Sequence, residues 1–172
     1  IKGTFPFWDP NLFVDDDGRM YFYWGCSNQT PIWGVELDPE TMKPLTEKKE
    51  LIWGDAWTKG HERSGENHCA PPFPEEEIEV RYQEFLKSHH IEEAILPGSM
   101  VMQLHGHVSR KPFIEGAWMD KYQGRYYLQY ACTGAEYNVY SDGVYVSDFP
   151  LGPFTLADNN PYSYKPGGFL PG

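Results

Sequence analysis

Two stretches of the chain carry aromatic and β-branched runs on either side of a polar turn. Residues 11–25 run Asn-Leu-Phe-Val, then Asp15-Asp16-Asp17-Gly18, then Arg-Met-Tyr-Phe-Tyr-Trp-Gly. Residues 117–131 run Ala-Trp-Met-Asp-Lys, then Tyr122-Gln123-Gly124, then Arg-Tyr-Tyr-Leu-Gln-Tyr-Ala. Each predicts strand, tight turn, strand. Aromatic and β-branched residues suit a pleated sheet, and a glycine at the turn accepts the positive φ of a hairpin.

The two stretches are copies of one unit. Gly18 and Gly124, Arg19 and Arg125, Tyr21 and Tyr127, and Cys26 and Cys132 are each 106 positions apart. Gly34-Val35-Glu36-Leu37 then matches Gly143-Val144-Tyr145-Val146 at a spacing of 109. A fourth short strand is predicted in each copy, near 51–53 and 154–156. Four antiparallel strands per repeat, with no helix inside the repeat, predict propeller blades. The expected class is all-β, a partial β-propeller with about two to three blades, too few to close a ring. The chain begins Ile1-Lys2-Gly3 and ends Phe169-Leu170-Pro171-Gly172 in a Gly/Pro-rich loop. Residues 1–172 are therefore expected to be an internal part of one β-propeller domain.

Between the copies, residues 66–111 read as an insertion. Ile78, Tyr82, Phe85 and Leu86 share one helical face, and Glu75, Glu76 and Glu77 fill the first turn, where the helix dipole favours them. This predicts a helix over 75–88, with His89-His90 at its C-terminus as dipole partners. Residues 100–108 are expected to be a strand. On a strand His105 and His107 would share a face, which is compatible with a metal site. No third ligand is evident beyond the guesses His68 and Cys69, so no metal is assigned.

Composition narrows the partners. Lys+Arg total 14 against 25 Asp+Glu, a net charge of −11, which argues against nucleic acid or an anionic membrane. Mean hydropathy is −0.59, and no apolar run approaches the ~18 residues of a membrane span. Aromatic residues make up 16%, more than a core of this size needs, and such rings also stack on sugars. Three cysteines are an odd number in a chain too long to be a disulfide mini-domain. Cys26 and Cys132 end apolar runs and read as buried free thiols. Asp15, Asp16 and Asp17 read as turn chemistry rather than a calcium loop. Asn28-Gln29-Thr30 matches a glycosylation acceptor, a pattern common by chance.

The repeat also places Asp9 on Glu115. Each carboxylate precedes the first strand of its unit, where a propeller gathers strand ends at one mouth. Paired carboxylates are the basic tool of glycosidic cleavage, and apolar neighbours such as Trp8 and Phe113 favour the protonated form of a carboxyl. Taken singly, Asp9 also reads as a turn cap before Pro10, and Glu115 as an ordinary loop acid.

Three segments resemble glycoside hydrolase family 43: WDPNLFVDDDGRMYFYWG at 8–25, IEGAWMDKYQGRYYLQY at 114–130 and DGVYVSDFPLGPF at 142–154. The resemblance implies a five-bladed β-propeller with an inserted helix here. It implies an inverting hydrolase of plant-type polysaccharides or oligosaccharides, acting on β-xylosides or α-L-arabinofuranosides in xylan degradation. It makes Glu115 the general acid and Asp9 the residue that tunes and orients it. The family's general-base Asp finds no match and is expected before residue 1, so this segment alone is expected to be inactive. No cofactor is required, and a structural calcium near a His expected after Gly172 is conceivable in the full ring. Trp8, Arg63, Trp118 and Tyr137 are candidate sugar-binding residues, with the charged loop around His61-Glu62-Arg63 and Glu66-Asn67-His68 rimming the pocket. The substrate class points to action outside the cytoplasm, extracellular or periplasmic, with a cytoplasmic site as the alternative. A carbohydrate-binding propeller without catalysis is the rival reading.

Overall fold

The computed structural model describes residues 7–135, 137 and 139–165. The Gly/Pro-rich end at 169–172 lies outside them. Among the described residues, β1 (Asn11–Val14), β2 (Met20–Trp24), β3 (Ile32–Leu37) and β4 (Lys49–Ile52) form one antiparallel sheet in chain order. Helices α1 (Glu75–Ser88) and α2 (Gly98–Ser109) follow. A second antiparallel sheet contains β5 (Phe113–Tyr122), β6 (Arg125–Thr133), β7 (Tyr140–Ser147) and β8 (Thr155–Leu156), again in chain order. β9 (Ser163–Lys165) pairs with the start of β7, an addition the repeat pattern does not predict. No described helix is long and apolar enough to cross a membrane.

The two sheets pack face to face. Tyr21 and Tyr23 of β2 meet Ala117 and Met119 of β5 and Leu128 and Tyr130 of β6 in one buried cluster, with Ile32, Ile52 and Ile114 at its edges. The opposite face of the first sheet carries Trp24, Val35 and Leu37, packed with Met20, Phe22 and Trp33. This is why the strands read as nearly continuous apolar runs: both faces are covered.

β1 joins the sheets through polar groups. Its odd-numbered residues share a face, because side chains alternate along a strand. Asn11 is buried, and its Oδ1 accepts the Met119 N–H at 3.0 Å. Phe13 sets its ring edge-on to Tyr126. Asp15, just past the strand, is buried and accepts the Tyr126 hydroxyl at 2.5 Å, the Asp16 N–H at 2.7 Å and a short contact from Lys121 Nζ. The triple-Asp turn is therefore more than a turn: Asp15 is an inter-sheet ion pair, while Asp17 pairs with Arg19 at the exposed tip.

The hairpins differ in length. Val14 pairs with Met20, so the first loop spans Asp15–Arg19, with Gly18 at φ 85°. Tyr122 pairs with Arg125, so the second has two residues, Gln123 and Gly124, at φ 51° and 77°. Positive φ at both positions is the type I′ geometry that matches strand twist. The shorter turn shifts pairing by one residue relative to the first sheet. A bulge in β5 between Glu115 and Trp118 takes up that residue, with Gly116 at φ 64°.

Helix α1 covers the predicted residues, and buries Ile78, Tyr82 and Leu86. The strand expected over 100–108 is instead α2. Val101, Leu104, His105 and Val108 are its half-buried stripe, the spacing of a helix face packed on a neighbour. Pro97-Gly98 opens it, and Arg110 ends it with φ 57°. His105 and His107 consequently stand about 200° apart around the helix and form no metal pair. His105 stacks on Tyr82 with ring centroids 3.8 Å apart, and His107 meets Phe85 edge-on. His89 caps α1 through a ring nitrogen 2.9 Å from the Phe85 carbonyl.

Burial pushes the Asp15 carboxyl up, but hydrogen bonds from Lys121, Tyr126 and Asp16 outweigh it and hold the group below its ordinary 3.8. A carboxyl depressed by folding stabilises above its unfolded value, and that contribution disappears as pH falls through the folded value. Asp15→Asn is expected to lower stability by about 1–3 kcal/mol at pH 7, the cost of leaving buried donors poorly paired. The difference between wild type and variant should shrink below pH 4 in denaturant titrations. A constant difference from pH 7 to pH 3 would show that the charge is not what matters.

Candidate active site

The end of β1 opposite the hairpin brings the predicted carboxylates together. Gly25 N–H donates to Trp8 O at 3.0 Å, continuing the β1–β2 ladder past Asn11 and placing Asp9 at its end. Asp9 adopts φ 49°, a left-handed conformation that a short polar side chain tolerates. In the second sheet Glu115 pairs with Ala131. Because the bulge has absorbed the one-residue difference, Asp9 and Glu115 occupy equivalent ladder positions. The bulge contributes directly as well: the N–H of Gly116 donates to Asp9 Oδ2 at 3.0 Å.

Cys26 completes the group. Ser27 and Ile114 exchange two backbone hydrogen bonds, at 3.2 and 3.3 Å, which set the neighbouring residues Cys26 and Glu115 side by side. The Cys26 thiol donates to Glu115 Oε2 at 3.2 Å, and the Tyr140 hydroxyl donates to Oε1 at 3.3 Å. Ligand atoms of Asp9, Cys26 and Glu115 lie within 4.8 Å of one another. Burial, reinforced by the Glu115 carboxylate, pushes the Cys26 thiol and the Tyr140 hydroxyl well up, so both keep their protons at neutral pH and act as donors. A protonated thiol in this trio does not suit calcium, which takes oxygen ligands.

The sequence reading treats Cys26 only as a buried thiol. It is half-buried and aimed at the carboxylate. The available signal is its place beside Gly25, directly across the ladder from Trp8-Asp9. Cys132, its repeat mate, is fully buried at an interior position with its thiol toward backbone carbonyls.

The loop before α1 departs from expectation. Its sequence predicts a charged rim, but Glu62 and His68 are buried. Glu62 accepts Tyr130 Oη–H at 2.6 Å and Lys59 Nζ at 2.9 Å, and takes a short bond from the Asp55 N–H. Lys59 also reaches the Tyr145 hydroxyl at 2.8 Å, and His61 Nε2 lies 3.0 Å from the Tyr130 hydroxyl. His68 holds the Arg63 carbonyl and Ser141. Burial lowers both imidazoles below their ordinary 6.5. These side chains lock the loop onto the second sheet. Arg63, expected to contact sugar, instead clamps the loop by donating to the carbonyls of Ala56 and Trp57 at 2.8 and 2.9 Å.

Of the three aromatic candidates, Trp8 and Tyr137 line one cleft of about 650 Å³, together with Phe113. Trp118 is exposed on the open face of β5, paired with Gln129, and does not line that cleft.

A thermostable family-43 glycoside hydrolase superposes with a TM-score of 0.57 at 18% identity, over 96% of this chain and 41% of that one. The fold is that of the family 43 glycoside hydrolases. An endo-1,4-beta-xylanase from Bacteroides thetaiotaomicron gives a TM-score of 0.53 at 22% identity, over 91% of this chain and 40% of that one. In sequence, family 43 likeness runs along most of the chain. Xylosidase/arabinosidase 43A of Humicola insolens is 32% identical over 155 residues, covering 90% of this chain and 42% of the relative. A xylosidase/arabinosidase of Bacteroides ovatus is 27% identical over 161 residues, covering 90% and 40%. The chain thus spans about two fifths of the length of the curated relatives it matches. No family model matches it.

Thiol reactivity reads the Cys26–Glu115 contact. Only the thiolate alkylates, so iodoacetamide at pH 8 should label exposed Cys69 first, with Cys26 and Cys132 slower by about tenfold or more. Glu115→Gln should speed Cys26 and leave Cys132 unchanged in peptide mass spectra. Labelling of Cys26 as fast as Cys69 would mean its proton is not held.

Proposed function

We infer that this chain carries the acid side of the catalytic centre of an inverting glycosidase, acting on β-xylosides or α-L-arabinofuranosides. The observation that carries the reading is the convergence of Asp9 and Glu115 from equivalent positions of two packed sheets to within 4.8 Å. The family 43 fold and the xylosidase and arabinosidase names of its relatives point to the same substrate class.

The spacing supports the roles of Asp9 and Glu115. An inverting acid and base stand about 6.5–9.5 Å apart, to leave room for water, and a retaining pair about 5–5.5 Å. Asp9, within 4.8 Å of Glu115, leaves no room for the water that an inverting base activates, which supports its acting on Glu115. Asp9, held by the Gly116 N–H, is placed to orient and tune Glu115. Cys26 and Tyr140 fix the orientation of the Glu115 carboxyl by gripping one oxygen each. In the proposed step Glu115 gives its proton to the departing glycosidic oxygen as that bond breaks. A carboxylate outside residues 1–172 takes a proton from water, whose oxygen bonds to the anomeric carbon from the opposite face. The substrate class favours extracellular or periplasmic action of the whole protein, with a cytoplasmic site as the alternative.

The test is Glu115→Gln in the full-length protein. Glutamine keeps the shape and loses the transferable proton, so turnover of unactivated xylo-oligosaccharide should fall by about 10²–10⁴-fold with affinity largely kept. Aryl glycosides with good leaving groups should lose less. A variant with wild-type turnover on the oligosaccharide would remove Glu115 from the chemistry.

A further inference from the structure

Helix α2 does more than cover α1. It is fastened to the loop after β2 at one point. Asn28 Nδ2 donates to the carbonyls of Gly106 and Lys111, at 3.0 and 3.1 Å. Gly106 is required there, because a Cβ at this position would sit 2.7 Å from Asn28 Oδ1. Gln103 and His107 are four residues apart, hence on one helical face, and both line the cleft that Trp8, Phe113 and Tyr137 bound from the other side.

Three features of this cleft define its ligand. Its volume of about 650 Å³ is in the range of small-molecule sites. Among the described residues its lining holds no carboxylate, lysine or arginine, only aromatic rings, amides and an imidazole. That chemistry suits a neutral, hydroxyl-rich ring, with aromatic faces for stacking and amides for hydroxyls. Finally, the cleft adjoins the carboxylates without containing them. Trp8 precedes Asp9, and Phe113 is two residues from Glu115 on the same strand, yet neither acid lines it. Its described lining thus lies beside the acids and not around them.

We propose that α2 builds a distal sugar subsite, in which Gln103 and His107 hold a neutral sugar ring of the substrate chain beyond the two rings joined by the scissile bond. This subsite rests on the glycosidase reading and makes the helical segment a determinant of chain-length preference.

The experiment uses the full-length protein with xylobiose and xylotetraose. In Gln103→Ala and His107→Ala, the ratio of kcat/KM for xylotetraose to that for xylobiose should fall about 5-fold or more, the worth of one lost polar contact. Both side chains are solvent-exposed, so melting temperatures should stay within about 2 °C of wild type. An unchanged ratio in both folded variants would overturn the subsite. The glycosidase reading fails separately, if the wild type cleaves neither substrate. In that event calorimetric binding of xylotetraose decides the subsite: weaker binding in the variants supports it, and equal affinity overturns it.

Discussion

Burying Asp15 between two hairpins removes a carboxylate from water, a cost of several kcal/mol unless partners replace the hydration. Lys121, Tyr126 and the Asp16 N–H replace it, and the price of that arrangement is that the two sheets must meet in one register. The same face of the chain repeats the device. Asn11 reaches Met119, and Asp9 reaches Gly116. Apolar packing pulls the sheets together without specifying their alignment, since it is non-directional. The polar contacts along β1 specify it, and the candidate centre sits at the last of them. The position of Asp9 against Glu115 is therefore a consequence of how the sheets are sewn together.

Around that centre the groups have opposite tasks. Asp9 and Glu115 bring two carboxyl groups close together, while Cys26 and Tyr140 supply neutral donors that keep their protons because the surroundings are buried. Weak donors suit such a place: they orient a carboxyl without neutralising it as a lysine or arginine would. Strong cations are engaged elsewhere. Lys59 is bound to Glu62, Lys121 to Asp15, and Arg63 to two loop carbonyls.

Much of this was legible in the order of residues. The spacing of 106 between Gly18 and Gly124 reports two like sheets, and the same spacing links Asp9 to Glu115. The first turn of acids and the Ile78, Tyr82 and Leu86 stripe report α1. What stayed hidden depends on contacts far apart in the chain. Val101, Met102 and Leu104 suit a strand by local preference, and Gly106 speaks against a helix. Packing against α1 and the tight seat on Asn28 decide otherwise. Glu62 and Arg63 look like a solvated charged loop, because nothing local announces Tyr130 and Lys59 as partners. Cys26 looks like core until its neighbour across the Ser27–Ile114 bridge is known.

The bulge at Gly116 separates two variables that a regular ladder would couple. In an unbroken hairpin, removing a residue from the turn slides every side chain of one strand to the opposite face. Here one residue of slack lies between the turn and Glu115, so the turn has its own length while the acid keeps its place. Changes at the hairpin tip, far from the carboxylates, can be absorbed before they reach them. A propeller blade built this way can vary its outer loops freely, with the chemistry insulated from the edit.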